Sequence, residues 1–415
     1  MTQPLYYRLR FFFLAAIAFL IPLHIYIATI FCVLLVLLFI CGSFIPGIEI
    51  RKNELKWALL SSAVFFFTLI SFFYSEDKNE ASSGLEVKLS LLVFPFIFLQ
   101  GKKLERKESI SIFVSFILGC AVTMCYCLTH GWMVYHASGS IGDMLYRNLS
   151  MDTHPSYLAM YIVFACVLLV ALAGEKGPSF IRPTIAFLLF CFSFFITMLQ
   201  SKAGIVSAFV LIPLMIVLSA RKNKQWLFYG IVLAGCALVY FGTGKYVITN
   251  ANSRMVNGEY NITHLEQMKE AGYGTESSEI RVQIWKVAMQ KLRSDWFTGV
   301  GVGDVKQELL SLYKQNGMDF AIEHQLNAHD QFIQTWMACG IAGLISLLLG
   351  FLLPGIKAIK ERFPLYLIFI LLIGFNLLPE SMLESRAGTF FYAYFNSFFL
   401  LLCKDIFSNR TSISS

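Results

Sequence analysis

Twelve apolar runs decide which solvent this chain folds in. They lie at roughly 9–22, 25–43, 55–74, 86–100, 109–129, 156–173, 183–200, 203–219, 226–242, 330–352, 363–379 and 387–403. A helix crosses the hydrocarbon core of a bilayer with about 20 apolar residues. The first two runs are divided at Ile21-Pro22-Leu23-His24, where proline interrupts the helical pattern. Residues are 57% hydrophobic and only 14% charged, against roughly 25% charged in an average soluble protein. Such a chain can neither cover itself with a water-soluble surface nor remain disordered. The expected fold is an all-α integral membrane protein with about 12 transmembrane helices and a large helical loop on one side. The opening run has no small-residue cleavage site after it and reads as a retained first span.

The net charge of +7 gains meaning when it is mapped onto the loops. Alternate loops collect 19 basic against 7 acidic residues, among them Arg8, Arg10, Arg51, Lys52, Lys102, Lys103, Arg221, Lys357 and Lys404. Every short loop on that side is net basic, which makes it the cytoplasmic side, with both termini there. The basic residues are not gathered on one stretch, so nucleic acid is not an expected partner. All 10 cysteines fall in or at the ends of apolar runs and none forms a metal-spaced pair. They read as small hydrophobes, without disulfides or zinc.

The opposite side carries the polar mass. Three parts follow: residues 1–242 with nine spans, an outer loop at 243–329, and residues 330–415 with three spans and a tail. A loop that long is usually functional. Segment 277–293 places Ile280, Ile284, Val287 and Ala288 on one helical face, with Ser277 or Ser278 as cap. Gly299-Val300-Gly301-Val302-Gly303 lacks the preceding strand and the lysine of a phosphate loop, so it reads as a tight turn between outer helices. No tandem or inverted repeat is evident.

Ionisable residues at span ends are the candidates for chemistry. Lys202 opens the eighth span in Gln200-Ser201-Lys202-Ala203-Gly204, where a lone lysine ordinarily snorkels. His329 precedes the tenth span, and positions 329, 336, 340 and 343 are expected on one helical face. Gly340 and Gly343 would let another helix approach closely, and a histidine there can serve as a base. Arg281 lies one turn before Trp285 on the outer amphipathic helix; Glu380, Glu384 and Arg386 crowd the last outer turn, where mutual ion pairing is the plain alternative. His154, followed by Pro155, and Arg147 stand before the sixth span, whereas His24, His130, His136, His264 and His324 have no distinguishing pattern.

Four segments together resemble the O-antigen ligase and polymerase superfamily of bacterial envelope enzymes. They are Ser201-Lys202-Ala203-Gly204, Ser278 to Trp285 with Lys286, Trp296 to Gly303, and His329 followed by Gly340-x-x-Gly343. Their order and spacing are similar to the family's span opening, its Arg-x-x-x-Trp helix, its glycine-rich turn and its histidine followed by Gly-x-x-Gly. One departure is that Lys202 stands where the family has arginine, giving a charge without the bidentate fork. The resemblance implies a fold similar to integral-membrane (GT-C-like) glycosyltransferases. It implies transfer of a glycan from undecaprenyl diphosphate to an acceptor hydroxyl, at the periplasmic face of the bacterial inner membrane. In ligases the acceptor is lipid A–core, and in polymerases another lipid-linked glycan. Ligases of this kind use no metal and no cofactor, and the chain has no Asp-x-Asp metal motif.

On that reading Lys202, Arg281 and Arg386 hold the diphosphate, His329 deprotonates the acceptor, and Glu380, Glu384 and His154 contact acceptor or sugar. Two nearby cations would keep His329 neutral. Membrane lipids and the two lipid-linked glycans are the expected partners. The rival activities are a polymerase that lengthens lipid-linked glycan and, from another class, a lipid-glycan flippase or transporter. A transporter would place its ionisable residues near the bilayer midplane, not at the outer span ends.

Overall fold

The computed structural model describes residues 1–139, 141–151, 153–174, 181–219 and 278–403, with positions 230, 234 and 235 between them. Two isolated bridges, Ile50 with Gln100 and Leu104 with Cys403, are the only strand-like pairings among the described residues. Helices account for nearly everything else, because only a helix satisfies its own backbone in lipid.

The chain begins with α1 (Gln3–Leu23) and α2 (Ile25–Gly42). Pro22 sits inside the last turn of α1, and the backbone turns at extended His24. There follow α3 (Leu55–Tyr74), α4 (Lys78–Lys88), α5 (Ser90–Phe98), α6 (Arg106–Ser138), a short α7 (Arg147–Ser150), α8 (Pro155–Ala173), α9 (Ile181–Met198) and α10 (Lys202–Ser219). After 278 come α11 (Ser278–Ser294), α12 (Val305–Gln315), α13 (Asp319–Glu323), α14 (Gln331–Lys360), α15 (Pro364–Leu377) and α16 (Arg386–Ser397), which continues as a π-helical turn at Phe398–Leu402.

Eleven of the twelve expected spans coincide with described helices, and the ninth, at 226–242, lies outside the described residues. Among the described residues, eight helical segments are long and apolar enough to cross a membrane, and the helices at 182–198 and 364–377 are apolar but shorter. The fourth expected span is two pieces. Asp77 caps α4, accepting from the backbone of Asn79 and Glu80 at 3.0 Å each, and the polar α4 then gives way to the apolar α5. None of the nine described cysteines is in a disulfide, and Cys41 and Cys125 are exposed rather than buried.

Two apolar cores organise these helices. The larger centres on α8, which is apolar all round and buried nearly all round, as a central bundle helix should be. Phe116, Phe164 and Phe395 interlock there, with ring centroids 4.9 Å apart for Phe116–Phe395 and 4.8 Å for Phe164–Phe395. First and last helices also meet: the Tyr394 hydroxyl donates to Leu14 O at 2.7 Å. At the end of the bundle expected in the cytoplasm, Arg51 donates to Phe98 O (2.7 Å), to Leu401 O (2.8 Å) and to Gly101 O, while pairing with Glu54 at 3.0 Å.

The smaller core holds the helices of the stretch expected on the outer side. Ile284, Val287, Ala288 and Leu292 of α11 pack with Leu309 and Tyr313 of α12, as the 277–293 pattern implies. Ala81 of α4 and Met337, Ala338 and Cys339 of α14 complete it, so this core is shared with the helices beneath. The 299–303 turn does join two outer helices, and it also docks on α14. Gly340 has φ +65° and ψ −167°, so α14 is broken there. The break receives the chain before the turn: Ile341 N donates to Trp296 O (3.0 Å), Val300 N to Met337 O (2.7 Å) and Trp336 Nε1 to Trp296 O (2.8 Å). His329 lies before α14 and Gly340 interrupts it, so the single helical face expected for 329, 336, 340 and 343 does not exist.

A side chain at Gly340 would need a disfavoured φ and would strike Phe297 O. Gly340→Ala is therefore expected to destabilise the protein by about 1–3 kcal/mol, seen as a lower unfolding temperature in detergent. Gly350→Ala on the same helix meets only Leu60 O at 3.5 Å and should be tolerated. Equal effects of the two would refute the importance of the break.

Candidate functional site

Four chain segments converge at the end of the bundle where the outer subdomain sits. Pro155 starts α8, and His154 caps it by accepting from Ser156 N through Nδ1 at 3.3 Å. Ser201 caps α10 by accepting from Gly204 N at 3.2 Å. A Cβ at Gly204 would lie 2.5 Å from Ala159 Cβ, so glycine permits α10 to close on α8. Half-buried Lys202, the first residue of α10, is thereby set at the level of the α8 start. Arg281 comes from the first turn of α11. His329 comes from the link into α14, which is held twice: Trp285 Nε1 donates to Ala328 O (2.9 Å), and Asp330 caps α14 by accepting from Ile333 N (2.9 Å).

Glu380 is the hub. It is 8% exposed, and its Oε1 accepts from Arg281 Nη2 at 3.1 Å and lies 3.5 Å from Ser156 Oγ. Its Oε2 lies 3.5 Å from His329 Nδ1. That distance is an electrostatic contact more than a formed hydrogen bond, and Nδ1 makes no closer one among the described residues. Burial alone would raise the Glu380 carboxyl pKa; the contact with His329 and the charges of Arg281 and His154 outweigh it and hold the value below the ordinary one. Burial also pushes the His154 imidazole down, with Glu380 opposing.

The arrangement differs from the sequence expectation in what faces His329. Two cations were expected beside it, and the side chain at its Nδ1 is a carboxylate. A carboxylate there favours the tautomer with the proton on Nδ1, leaving the Nε2 lone pair available. The backbone is also strained. His329 has φ +47° and Gln200, just before Ser201-Lys202, has φ +50°, values uncommon for residues other than glycine. Strain of this kind persists where surrounding structure over-determines it, which is common at functional sites.

Arg281, His329, Glu380 and His154 are thus brought together. Arg386 is not: it pairs with Glu86 at 2.6 Å and lies over the Tyr26 ring at 5.3 Å, because the first turn of α16 faces α4. Glu384 faces the other way from Glu380, pairing with Lys88 at 2.5 Å and accepting from Gln331 Nε2 at 3.2 Å. Ser156, Gln331 and Lys88 are not singled out by sequence reasoning. Lys88 had a signal, being an ionisable residue inside an expected span. Among the described residues, no group of three or more His, Cys, Asp or Glu is placed to hold a metal ion.

The Glu380 contacts make a pH prediction. A carboxyl with a depressed folded pKa stabilises fully above the unfolded value, about 4.3, and that contribution is lost as pH falls through the folded value. The unfolding-temperature gap between wild type and Glu380→Gln should be steady down to about pH 5 and narrow below about pH 4. A gap unchanged at pH 3 would mean that Glu380 is not ionised in the fold.

Comparison with known proteins adds to this geometry. Residues 187–348 match the family model Wzy_C, described as O-antigen ligase. No curated protein matches the chain. The matched stretch runs from α9 into α14 and holds Lys202, Arg281, the 299–303 turn, His329 and Gly340. His154, Glu380, Glu384 and Lys88 lie outside it. Over residues 187–348, less than half of the chain, this multi-pass membrane protein is therefore similar to the O-antigen ligase family, a likeness that points to glycan transfer of the ligase or polymerase kind.

Proposed function

We propose that the protein transfers a glycan from undecaprenyl diphosphate to a hydroxyl of lipid A–core, at the periplasmic face of the bacterial inner membrane. The observation that carries this reading is the meeting of His329, Glu380 and Arg281. Basic residues gathered in the alternate loops favour both termini in the cytoplasm, with this cluster on the opposite side. The fold then serves as a GT-C-like scaffold of about 12 spans.

In this mechanism the acceptor hydroxyl gives its proton to Nε2 of His329 as its oxygen bonds to the anomeric carbon. The bond from that carbon to the diphosphate oxygen breaks, and the electron pair leaves with the diphosphate. A single displacement opposite the leaving group inverts the anomeric centre. Glu380 orients the imidazole and stabilises the charge that forms on it, as a carboxylate does for histidine in hydrolytic triads. Lys202 and Arg281 stabilise the charge that develops on the diphosphate. Arg281 can do so while held by Glu380, because a guanidinium has five N–H donors and the carboxylate takes one. A diphosphate leaves without a proton donor, so no further acid is required and no metal or cofactor is invoked. Glu384 and Arg386, already paired with Lys88 and Glu86, are left out of the chemistry. His154 and Ser156 border Glu380 and suit sugar hydroxyl contacts.

His329→Ala should lower turnover about 10²–10⁴-fold, and Lys202→Ala or Arg281→Ala about 10²–10³-fold; His329→Ala and Lys202→Ala should still insert and fold, whereas Arg281→Ala should also lose stability because it leaves Glu380 unpaired. Full activity in His329→Ala would remove it as the base. The reading as a whole is tested with purified protein, an undecaprenyl-diphosphate glycan and lipid A–core, with no metal added, by weighing the lipid products. Glycan on lipid A–core is the expected result. Longer glycan still on undecaprenyl diphosphate would make the enzyme a polymerase with the same site. Movement of lipid-linked glycan across a vesicle without new bonds would make it a transporter. Activity lost to a chelator and restored by magnesium would overturn the metal-free mechanism.

A further inference from the structure

Lys88 ends α4 at the head of an apolar stretch and is 2% exposed. A buried ammonium is costly unless paired. Its Nζ lies 2.5 Å from Glu384 Oε2, and Glu384 Oε1 accepts from Gln331 Nε2 at 3.2 Å. Gln331 is fully buried; its Oε1 accepts from Leu383 N at 2.5 Å, and its Nε2 also donates to Thr335 Oγ1 at 3.0 Å. One cation, one carboxylate and one amide thus tie together α4, the turn at Met382–Glu384 and the first turn of α14. Both members of the His329–Glu380 pair hang from this knot. Glu380 is four residues before Glu384, and His329 is two before Gln331. The pair does not secure itself, since its own contact is 3.5 Å and His329 is held at a disfavoured φ of +47°.

We propose that Lys88 is a positioning residue for glycan transfer, acting through Glu384 and Gln331 to hold the His329 imidazole against Glu380. This rests on the reading of His329 as the base. Lys88 acts on the pair through Glu384, with which it pairs, so its effect should fall on the chemical step and not on donor binding.

The test uses full-length Lys88→Met, Lys88→Arg and the double variant Lys88→Met with Glu384→Leu. Lys88→Met should lower kcat about 10–100-fold, the scale of a misplaced reacting group, with the donor KM little changed. Lys88→Arg should recover part of that loss. The double variant removes both charges, which is often neutral for stability, so it should regain the wild-type unfolding temperature while kcat stays low. Recovery of kcat together with stability would reduce the knot to a purely structural role and overturn the proposal. A raised donor KM with kcat retained would make Lys88 a substrate contact, which also overturns it. A second readout needs no turnover. The rate at which diethyl pyrocarbonate modifies His329, followed by peptide mass, should change at least about threefold in Lys88→Met if the imidazole has moved. An unchanged rate counts against positioning. Wild-type protein that transfers nothing would refute the functional reading while this rate still reports on Lys88.

Discussion

A single buried carboxylate ties the outer end of this protein together. Glu380 binds Arg281 from 99 residues earlier in the chain, contacts His329 before α14 and reaches Ser156 at the start of α8. Unpaired, a charge buried to that degree would cost several kcal/mol. The fold therefore needs the cation, and the cation is carried by the outer subdomain. The electrostatic requirement of one residue thus adds to the shared apolar core and the Gly340 break in seating the polar subdomain on the bundle.

The neighbouring carboxylate solves a different problem. Glu380 and Glu384 share one short turn and face opposite ways, the first toward Arg281 and His329, the second toward Lys88 and Gln331. Two acids so near in sequence would repel if both looked into one space. Separate cations separate them and leave one carboxylate against Arg281 and His329 and the other against Lys88. The turn becomes rigid because each of its ends is held by charge-assisted bonds, which are the strong ones.

Much of the architecture was legible in the residues. Apolar run length found eleven of the described helices, since the bilayer imposes a length that sequence must meet. The face of α11 was legible because helical period and burial agree at Ile284, Val287 and Ala288. The order of Lys202, Arg281, the glycine turn and His329 led to the family that residues 187–348 match. What escaped are features that depend on distant pairing. Nothing local shows that Glu380 meets Arg281 and not Arg386, six residues away, because the choice follows from how α16 faces α4. The helix break escaped because Gly340 lies in an unbroken apolar pattern, and a helical wheel then put His329 on a face that α14 does not have. Residues 243–277 of the outer loop lie outside the described residues.

The bond from Tyr394 to Leu14 spans 380 residues, and the clasp of Arg51 on Leu401 spans 350. Both join the earliest membrane helices to the last one. A ribosome delivers the chain from its N-terminus, so α1 must wait in the bilayer through almost the whole of translation before its final neighbour emerges. In that interval the surface reserved for α16 is open to lipid or to a chaperone. The bundle closes as a ring whose last segment is also its lock, and truncation near the C-terminus would undo contacts made by the first helix.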